Sequence, residues 1–375
     1  AAETFVLLKN EGNLLPLKKQ GKIALIGPLA DTRDNIAGTW SVAQAPEKYT
    51  TIKEAMEKAL DGKATLLYAQ GSNIWRDREL QKNGELGKSI VWGDEVKMKN
   101  EALQIAKEAD VIICAMGETA DMSGECASRT NLEMPDVQQE LLAELAKTGK
   151  PVVLLNFAGR PTVLSWEKEH IPAIMNVWFG GSEVGDALCD VIFGDKVPSG
   201  KLTTSMPKTT GQEPLYYNHQ NTGRPVPDDN QKFAKFASNC LDVSNGPLYP
   251  FGYGLSYTTF EYGDLKLSSH EVNMDDWKIT ATINVKNTGS RDADEVVQLY
   301  IRDMVASISR PVKELKGFQR IHLAAGENRE ISFDITPEML KFYNAELKHV
   351  IEPGDFQIMV GGNSKEVKTQ NLTVK

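Results

Sequence analysis

The sequence predicts two domains of different class, an α/β sandwich with a mostly parallel sheet followed by an antiparallel β-sandwich. Three patterns carry this prediction: continuous apolar runs alternating with amphipathic segments, then an aperiodic polar and aromatic stretch, then strictly alternating segments. Each pattern buries apolar surface in a different way. We expect the α/β domain at residues 1–208, an irregular connector at 209–260 and the β-sandwich at 261–375.

Five short runs in the first part of the chain are rich in Val, Ile and Leu and do not alternate. Such runs are typical of parallel strands buried on both faces. The predicted strands are Lys22–Gly27, Ala64–Tyr68, Ala109–Gly117, Pro151–Phe157 and Pro172–Phe179. Amphipathic segments predict helices at Thr51–Leu60, Lys97–Glu108, Asp136–Thr148 and Glu183–Phe193. Repeated alternation of strand and helix predicts an α/β layered domain with right-handed crossovers.

The opening segment, AAETFVLLKN, contains no Met and is interpreted as a helix already under way. A chain that enters in the middle of a helix suggests that residues upstream of Ala1 have been removed. We therefore expect the natural protein to extend further in that direction.

The second half changes character twice. Residues 209–260 are rich in Pro, Asn, Asp, Gly and aromatic residues without a regular period, which predicts a long connector. From about Glu261 the apolar period becomes two, as in Lys278–Lys286, Val296–Ile301 and Arg329–Ile335. Turn signals such as NTGS, AAGE and EPGD separate these segments. Short alternating strands with such turns predict an antiparallel β-sandwich.

Composition argues against several classes of protein. Of the 375 residues, 41% are hydrophobic and 25% are charged, as in globular domains. A net charge of −9 without a Lys/Arg-rich run argues against a nucleic-acid partner. The sequence has no apolar stretch long enough to span a membrane. The four cysteines form no CxxC pair and the histidines show no paired spacing, so zinc is not expected; Cys114 and Cys189 are expected in the core.

A loop rich in acidic residues follows the predicted strand that ends at Gly117. It reads GETADMSGECASRTNLEMP, and its charged residues are Glu118, Asp121, Glu125, Arg129 and Glu133. Ligands of open α/β sheets gather at the carboxyl ends of strands. A carboxyl group there can donate a proton if burial or a neighbouring acid raises its pKa. The residues alone leave two interpretations open, a site for acid/base chemistry or a solvated acidic loop.

Several segments resemble family 3 glycoside hydrolases of the β-glucosidase type, in the family's order along essentially the whole chain. SGECASRTNLEMP, with the preceding MGE, resembles the family's acid/base loop. AAETFVLLKNEGNLLPL resembles the junction between its barrel and second domain, and KIALIGPLADTRDNIAGTWS the first strand and loop of that domain. PLYPFGYGLSYTTFEY resembles the connector. VKNTGSRDADEVVQLYI followed by RPVKELKGFQRI resembles a fibronectin type III-like domain.

The resemblance implies an architecture of three domains: a (β/α)8 barrel, an α/β sandwich and a fibronectin type III-like β-sandwich. This sequence contains no barrel, and the family's nucleophilic aspartate lies in the barrel. The resemblance thus implies a C-terminal portion that supplies the acid/base, is inactive alone and has the missing barrel as its partner. It implies no metal or cofactor, and a periplasmic or secreted location.

The resemblance also implies roles for individual residues. Glu125 matches the family's acid/base, with Glu118 as its main rival and as a candidate substrate-binding residue. Arg129 either pairs with a carboxylate and orients the loop or binds sugar hydroxyls. Trp40 either offers its ring to a sugar at the pocket entrance or is a buried or interface residue.

The expected substrate is a terminal β-linked glucoside, as an oligosaccharide or an aryl β-glucoside. A β-xylosidase of the same family is the nearest alternative, because the barrel mostly decides which sugar fits. A non-catalytic carbohydrate-binding or structural module is the alternative from another class, although the β-sandwich shows no planar row of aromatic residues. A nucleotide-binding protein is disfavoured because no phosphate-binding fingerprint is present.

Overall fold

The computed structural model describes residues 1–82, 89–229 and 234–375. They form two compact units, one of Ala1–Gly200 with Pro207–Gly211 and the other of Lys201–Met206 with Gln212–Lys375. The first unit is an α/β sandwich and the second is built on a β-sandwich, which confirms the predicted fold class. Within the described ranges, every helix is too short or too polar to cross a membrane.

The first unit is built on a sheet that has six strands within the described residues. These are β1 (Val6–Asn10), β2 (Lys22–Ile26), β3 (Thr65–Ala69), β4 (Val111–Gly117), β5 (Val152–Phe157) and β6 (Ala173–Asn176). Their order across the sheet is β1-β6-β5-β4-β2-β3, and all neighbours are parallel except β1, which runs antiparallel to β6. The predicted strands are confirmed to within a few residues at their ends.

Helices cover both faces of this sheet. They are α1 (Ile52–Leu60), α2 (Arg78–Lys82), α3 (Glu95–Glu108), α4 (Asp136–Ala146), α5 (Ser165–His170) and α6 (Val184–Ile192). Helix α1 begins with a capping box, in which Thr51 and Glu54 each accept the other's backbone N–H. Helices α1 and α6 pack together, and α3 packs against α4. The four predicted helices are confirmed with small shifts at their ends.

The prediction of a helix at the start of the chain is wrong. Residues Val6–Asn10 form strand β1, which pairs with the outer edge of β6. Phe5, Val6, Leu7 and Leu8 are at most 1% exposed. A short apolar run buried on all sides has the same pattern in a helix and in a strand, so periodicity could not separate the two. The open edge of β6 decides the outcome, because its backbone groups need a partner.

The strand order reverses once within the parallel part of the sheet. The chain moves from β2 outward to β3, returns to β4 on the other side of β2, and then continues outward to β5 and β6. Right-handed crossovers of opposite direction place the helices that follow β2 and β4 on opposite faces of the sheet. A crevice for ligands forms at such a reversal, at the carboxyl ends of the strands.

The second unit contains two packed sheets and a hairpin within the described residues. Its strands are β7 (Phe260–Tyr262), β8 (Lys266–Leu267), β9 (Glu271–Val272), β10 (Ile279–Asn287), β11 (Ala293–Asp303), β12 (Glu314–Leu323), β13 (Asn328–Ile335), β14 (Phe342–Tyr343), β15 (His349–Val350), β16 (Gly354–Gly361) and β17 (Val367–Val374). One sheet has the order β13-β10-β7 with β8 also on β10, and the other has the order β12-β11-β16-β17-β9. A short helix, α7 (Pro337–Leu340), precedes the β14–β15 hairpin.

The alternating pattern places one face of each long strand in a common core. In β10, Ile279, Ala281, Ile283 and Val285 are buried while the residues between them are less so. Strand β11 departs from strict alternation, because Gln298 and Tyr300 on its outer face are also buried. The preceding irregular stretch covers that face: the ring of Phe251 lies edge-on to Tyr300, and Gln298 donates to the carbonyl of Gly252.

Helix α5 buries an ionisable side chain in the first unit. Glu167 is 2% exposed. Burial raises the pKa of Glu167 to about 7, and the negative charge of Glu133 adds to this effect. A hydrogen bond with its own backbone and the nearby His170 act in the opposite direction. Glu167 therefore holds its proton in the folded chain at pH values where it is ionised in the unfolded chain.

Replacing Glu167 with Gln should remove a pH dependence of stability. The stabilisation from the protonated carboxyl is fully present below about pH 4.5 and is lost as pH rises through about 7, because only the unfolded chain ionises in that window. We expect the parent to lose about 3 kcal/mol across this window relative to Glu167→Gln. Urea unfolding at pH 5 and pH 8, followed by tryptophan fluorescence, measures this difference. Glu169→Gln, an exposed change on the same helix, is the control; an equal pH dependence in parent and Glu167→Gln would contradict the prediction.

Candidate active site

Strands β2 and β4 end side by side, each next to a glycine in an unusual conformation. Gly27 follows β2 with φ +134°, and Gly117 ends β4 with φ +128°. A Cβ at Gly27 would lie 2.1 Å from the carbonyl oxygen of Ala115, and one at Gly117 would lie 2.1 Å from that of Phe157. Only glycine permits this approach. The chain therefore leaves the sheet abruptly at both positions, beside the reversal in strand order.

A buried glutamine from helix α4 fixes the end of β4. Gln138 accepts the N–H of Gly117 (2.8 Å) and donates to the carbonyl of Gly117 (3.0 Å) and to that of Ile74 (3.2 Å). Its side-chain amide thus satisfies both the N–H and the carbonyl of the last residue of the strand, as a neighbouring strand would. The starting point of the following loop is therefore well determined.

The next residue, Glu118, is a buried carboxylate held between two arginines. It is 1% exposed. Its Oε1 lies 2.7 Å from Nη1 of Arg129 and 3.1 Å from Nε of Arg160, and its Oε2 accepts the N–H of Gly159 at 3.2 Å. A carboxylate can be buried in this way only when its charge is compensated and both of its oxygens are hydrogen bonded.

The two arginines that bind Glu118 also donate hydrogen bonds to the backbone of the loop. Arg129 Nη2 donates to the carbonyl of Glu133 (2.9 Å), and Arg160 Nη2 donates to the carbonyls of Ala127 (2.6 Å) and Met122. Three points of the loop backbone are thus fastened to one buried charge cluster. The segment between the fastened carbonyls of Met122 and Ala127, residues 123–126, forms the loop tip.

Glu125 lies in this loop tip. The preceding Gly124 has φ +99° and the following Cys126 has φ +58°, so the chain turns tightly on both sides of it. The Glu125 side chain is exposed. It makes no hydrogen bond or ion pair with any residue in the described ranges. The carboxylate is therefore available to a ligand at the edge of the sheet.

The loop after β2 is bound to the same loop. Thr39 Oγ1 donates to the carbonyl of Ser123 (2.8 Å) and to that of Ala120, whose N–H is accepted by the side chain of Asn35. Trp40, the next residue after Thr39, is 72% exposed. These contacts bring an exposed aromatic ring and an exposed carboxylate onto adjacent loops of one sheet edge.

The four site residues predicted from the sequence therefore fall into an exposed pair and a buried pair. Glu125 and Trp40 are exposed at the surface, whereas Glu118 and Arg129 lie in the charge cluster beneath the loop. The Arg129 side chain is 11% exposed, and its guanidinium lies 5.3 Å from the ring centre of Trp75. Arg129 and Trp75 help to line a cleft of about 210 Å³ beside the loop.

Arg160 is the residue of this cluster that the sequence interpretation missed. It follows β5 by three residues, and β5 is the parallel neighbour of β4. Polar side chains that follow adjacent parallel strands converge at one edge of the sheet, and that rule would have identified it. Asn35 and Gln138 were missed as well, and the sequence offers no comparable signal for either.

The described residues contain no cluster of three or more His, Cys, Asp or Glu side chains arranged to hold a metal ion. Cys114 and Cys189 are buried in the core as expected. Burial raises the pKa of both thiols, which keeps them protonated and unreactive.

Comparison with known families identifies the chain. Residues 5–257 match the Glycosyl hydrolase family 3 C-terminal domain, and residues 295–364 match the Fibronectin type III-like domain. The chain belongs to glycosyl hydrolase family 3. It comprises the C-terminal domain of that family followed by its fibronectin type III-like domain.

Curated relatives of the chain are glycoside hydrolases about twice as long. It is 46% identical over 371 residues to a periplasmic beta-glucosidase of Salmonella typhimurium, covering 98% of this chain and 48% of the relative. It is 37% identical over 384 residues to a beta-xylosidase of Formosa agariphila, covering 100% and 49%. The chain thus spans about half the length of these relatives.

Solved structures agree with this assignment. The beta-glucosidase of Listeria innocua in complex with glucose superposes with a TM-score of 0.87 at 35% identity, covering 100% of this chain and 48% of that one. A beta-glucosidase of Erythrobacter marinus gives a TM-score of 0.86 at 32% identity, covering 100% and 49%.

Removing the charge of Glu118 should destabilise the first unit far more than removing that of Glu125. Glu118→Gln leaves two largely buried guanidinium groups without a counter-charge. We expect the free energy of unfolding to fall by about 3 kcal/mol. Glu125→Gln changes an exposed group without partners in the described residues, and we expect a change within about 0.5 kcal/mol. Urea unfolding of both variants and the parent measures the difference. Losses of equal size would show that the buried cluster does not stabilise the loop.

Proposed function

We propose that this chain supplies the general acid/base of a retaining, exo-acting β-glucosidase-like hydrolase. The observation that supports the proposal is Glu125: a carboxylate without partners among the described residues, at the tip of a fastened loop, where the strand order reverses. Family membership supplies the reaction class. The loop GECASRTNL, in which Glu125 lies, resembles the family's acid/base loop.

The proposed mechanism divides between two carboxyl groups. In the first step Glu125 donates its proton to the glycosidic oxygen while a carboxylate nucleophile attacks the anomeric carbon, which forms a glycosyl-enzyme and releases the alcohol. In the second step Glu125 takes a proton from water, and the water oxygen displaces the nucleophile. The resemblance places that nucleophile in a barrel outside these 375 residues, so we propose that the chain alone is inactive.

Glu118 and Arg129 have different proposed roles. Because both oxygens of Glu118 are engaged and its side chain is buried, we propose that it acts by positioning the loop and Glu125. Arg129 is fastened on one side to Glu118 but also lines the cleft beside the loop. We propose that Arg129 orients the loop and that its cleft-facing side contacts the substrate.

The proposed substrate is a terminal β-linked glucoside, with Trp40 as a platform for one of its rings. Sugar rings present apolar C–H faces, and an exposed indole can stack on them. A β-xyloside is the second candidate, because one relative at 37% identity is a beta-xylosidase. A periplasmic location is proposed from the relative at 46% identity that carries this description.

Glu125→Gln should abolish the proton transfer without disturbing the loop. In the natural protein at its full encoded length, we expect kcat/KM for an alkyl β-glucoside to fall about 10²–10⁴-fold, because a general acid contributes this much. A dinitrophenyl β-glucoside, whose leaving group needs no proton, should lose much less in glycosyl-enzyme formation.

Glu133→Gln, an exposed change in the same loop, is the matched control. Its kcat/KM should stay within about threefold of that of the parent, because it is a surface change without a role in the chemistry. The 375-residue chain alone should release no phenol from an aryl β-glucoside. Hydrolysis by the isolated chain would place a nucleophile within it and overturn the proposed half-site. Equal activity of Glu125→Gln and the parent would remove Glu125 from the reaction.

Trp40→Ala should weaken substrate binding and leave stability unchanged. The ring is 72% exposed, so its loss costs little packing within the chain. Loss of an aromatic contact should lower kcat/KM for cellobiose by about three- to tenfold, mainly through KM. Kinetics of the full-length protein measure this effect, with Val42→Ala, a fully exposed change in the same loop, as control. An unchanged KM would exclude the platform role.

A further inference from the structure

A cavity of about 530 Å³ lies within the second unit, on the outer side of its sandwich. Small-molecule sites typically measure roughly 300–1,000 Å³. Its lining comes from the aperiodic stretch and from two loops of the sandwich, and includes Tyr216, Tyr217, Asp228, Lys313, Ser364 and Lys365. No role assigned above uses these residues.

The walls of this cavity are joined by backbone hydrogen bonds. Val312 N–H donates to the carbonyl of His219, and Ser364 N–H donates to that of Phe251, both at 2.9 Å. Gly246 N–H donates to the carbonyl of Asp228 at 2.9 Å. Segments that are distant in the sequence are thus held in fixed relation, and the cavity is formed before any ligand arrives.

One lining residue, Tyr217, belongs to an aromatic cluster. Tyr217 stacks on Phe251 with ring centres 4.2 Å apart and meets the edge of Tyr300 at 6.0 Å. Its hydroxyl accepts the N–H of Leu315 at 3.2 Å. Tyr217 is therefore held by packing and a hydrogen bond within the fold. Its neighbour Tyr216 lines the cavity with 62% of its surface exposed.

Two charged groups in the lining have unused hydrogen-bonding capacity. The Lys313 ammonium has three N–H donors, and among the described residues it donates only to the carbonyl of Ser364, at 2.6 Å. The Asp228 carboxylate accepts no side-chain hydrogen bond from any described residue. Burial lowers the pKa of Lys313, Asp228 opposes this shift, and Arg302 adds to it. Lys313 is partly buried, whereas Asp228 is exposed. A partly buried donor such as the Lys313 ammonium gains free energy when a ligand satisfies it.

We propose that this cavity binds a neutral saccharide of one or two rings. Tyr216 offers a flat face for the C–H side of a sugar ring, while Lys313 donates to hydroxyl oxygens and Asp228 accepts from hydroxyl groups. This site is separate in sequence from Glu125 and Trp40. The inference does not depend on the proposed hydrolase function.

The balance of charge favours a neutral ligand over an anion. Lys313 is accompanied in the lining by Asp228, and the other lysine, Lys365, is paired with Asp229 at 2.7 Å. An anion would meet the Asp228 carboxylate as well as the Lys313 ammonium. A sugar hydroxyl can donate to one and accept from the other.

Calorimetric titration of the 375-residue chain with glucose, cellobiose and glucuronate tests the proposal. We expect glucose or cellobiose to bind, and Tyr216→Ala and Lys313→Met each to weaken that binding about tenfold or more, as lost stacking or a lost charged hydrogen bond would. Tyr343→Ala is the matched control, because Tyr343 is 63% exposed in the same unit and does not line the cavity. Tyr216 is as exposed, so its removal should leave the fold intact, which circular dichroism verifies.

The variants at the other unit separate the two proposals. Glu125→Gln and Trp40→Ala should leave this binding unchanged if the cavity is the site. Sugar binding lost in those variants, or retained in both Tyr216→Ala and Lys313→Met, would overturn the proposal. So would the absence of binding by the parent at tens of millimolar sugar. Tighter binding of glucuronate than of glucose would overturn the choice of a neutral ligand.

Discussion

The buried carboxylate of Glu118, placed between Arg129 and Arg160, is the interaction on which the candidate active site depends. Taking a carboxylate out of water costs several kcal/mol, and only full compensation of its charge and hydrogen bonds makes that cost acceptable. Two guanidinium groups and a backbone N–H provide the compensation here. Because each arginine also holds loop carbonyls, the requirement to satisfy Glu118 fixes the path of the loop that presents Glu125.

Two glutamates seven residues apart in one loop thus acquire opposite roles from their surroundings. Glu118 follows directly after β4, and its buried carboxylate is compensated by Arg129, Arg160 and the N–H of Gly159. Glu125 lies at the tip, between the fastened carbonyls of Met122 and Ala127, and its carboxylate has no hydrogen-bond or ion-pair partner among the described residues. The sequence shows two acids of the same type, and only the fold distinguishes the buried, paired Glu118 from the exposed Glu125.

The elements of both domains were predictable because their apolar patterns are strong. Strand β4 is apolar throughout, β5 is apolar except for Asn156, and β10 alternates strictly, so each pattern points to one class of structure. The opening segment was misassigned because a run of four buried apolar residues fits either a helix or a strand, and only the unpaired edge of β6 selects the strand.

Predicting the site from the sequence was limited because the sequence does not show which distant residues become neighbours in the fold. Glu125 and Trp40 could be named because they lie within stretches that resemble the family. Arg160 could not be linked to Glu118, 42 residues earlier, without knowing that β4 and β5 are neighbours. The pairing of Arg129 with a carboxylate was foreseen as one of two alternatives, but Glu118 could not be named as the partner, since the eleven-residue separation between them does not determine which side chains meet.

Under the proposed function, a divided active site would explain why the loop is fastened at three backbone points. A retaining mechanism needs its two carboxyl groups about 5–5.5 Å apart, and misplacement by about 1 Å can cost on the order of a hundredfold in rate. If the nucleophile is supplied by a different domain, docking alone must set that distance, and any freedom within the loop would add to its error. Three fastened backbone points and the contact with Thr39 remove that freedom before docking. Under the same proposal, the exposure of Glu125 has the same explanation, because the surface that excludes water from it would belong to the partner domain.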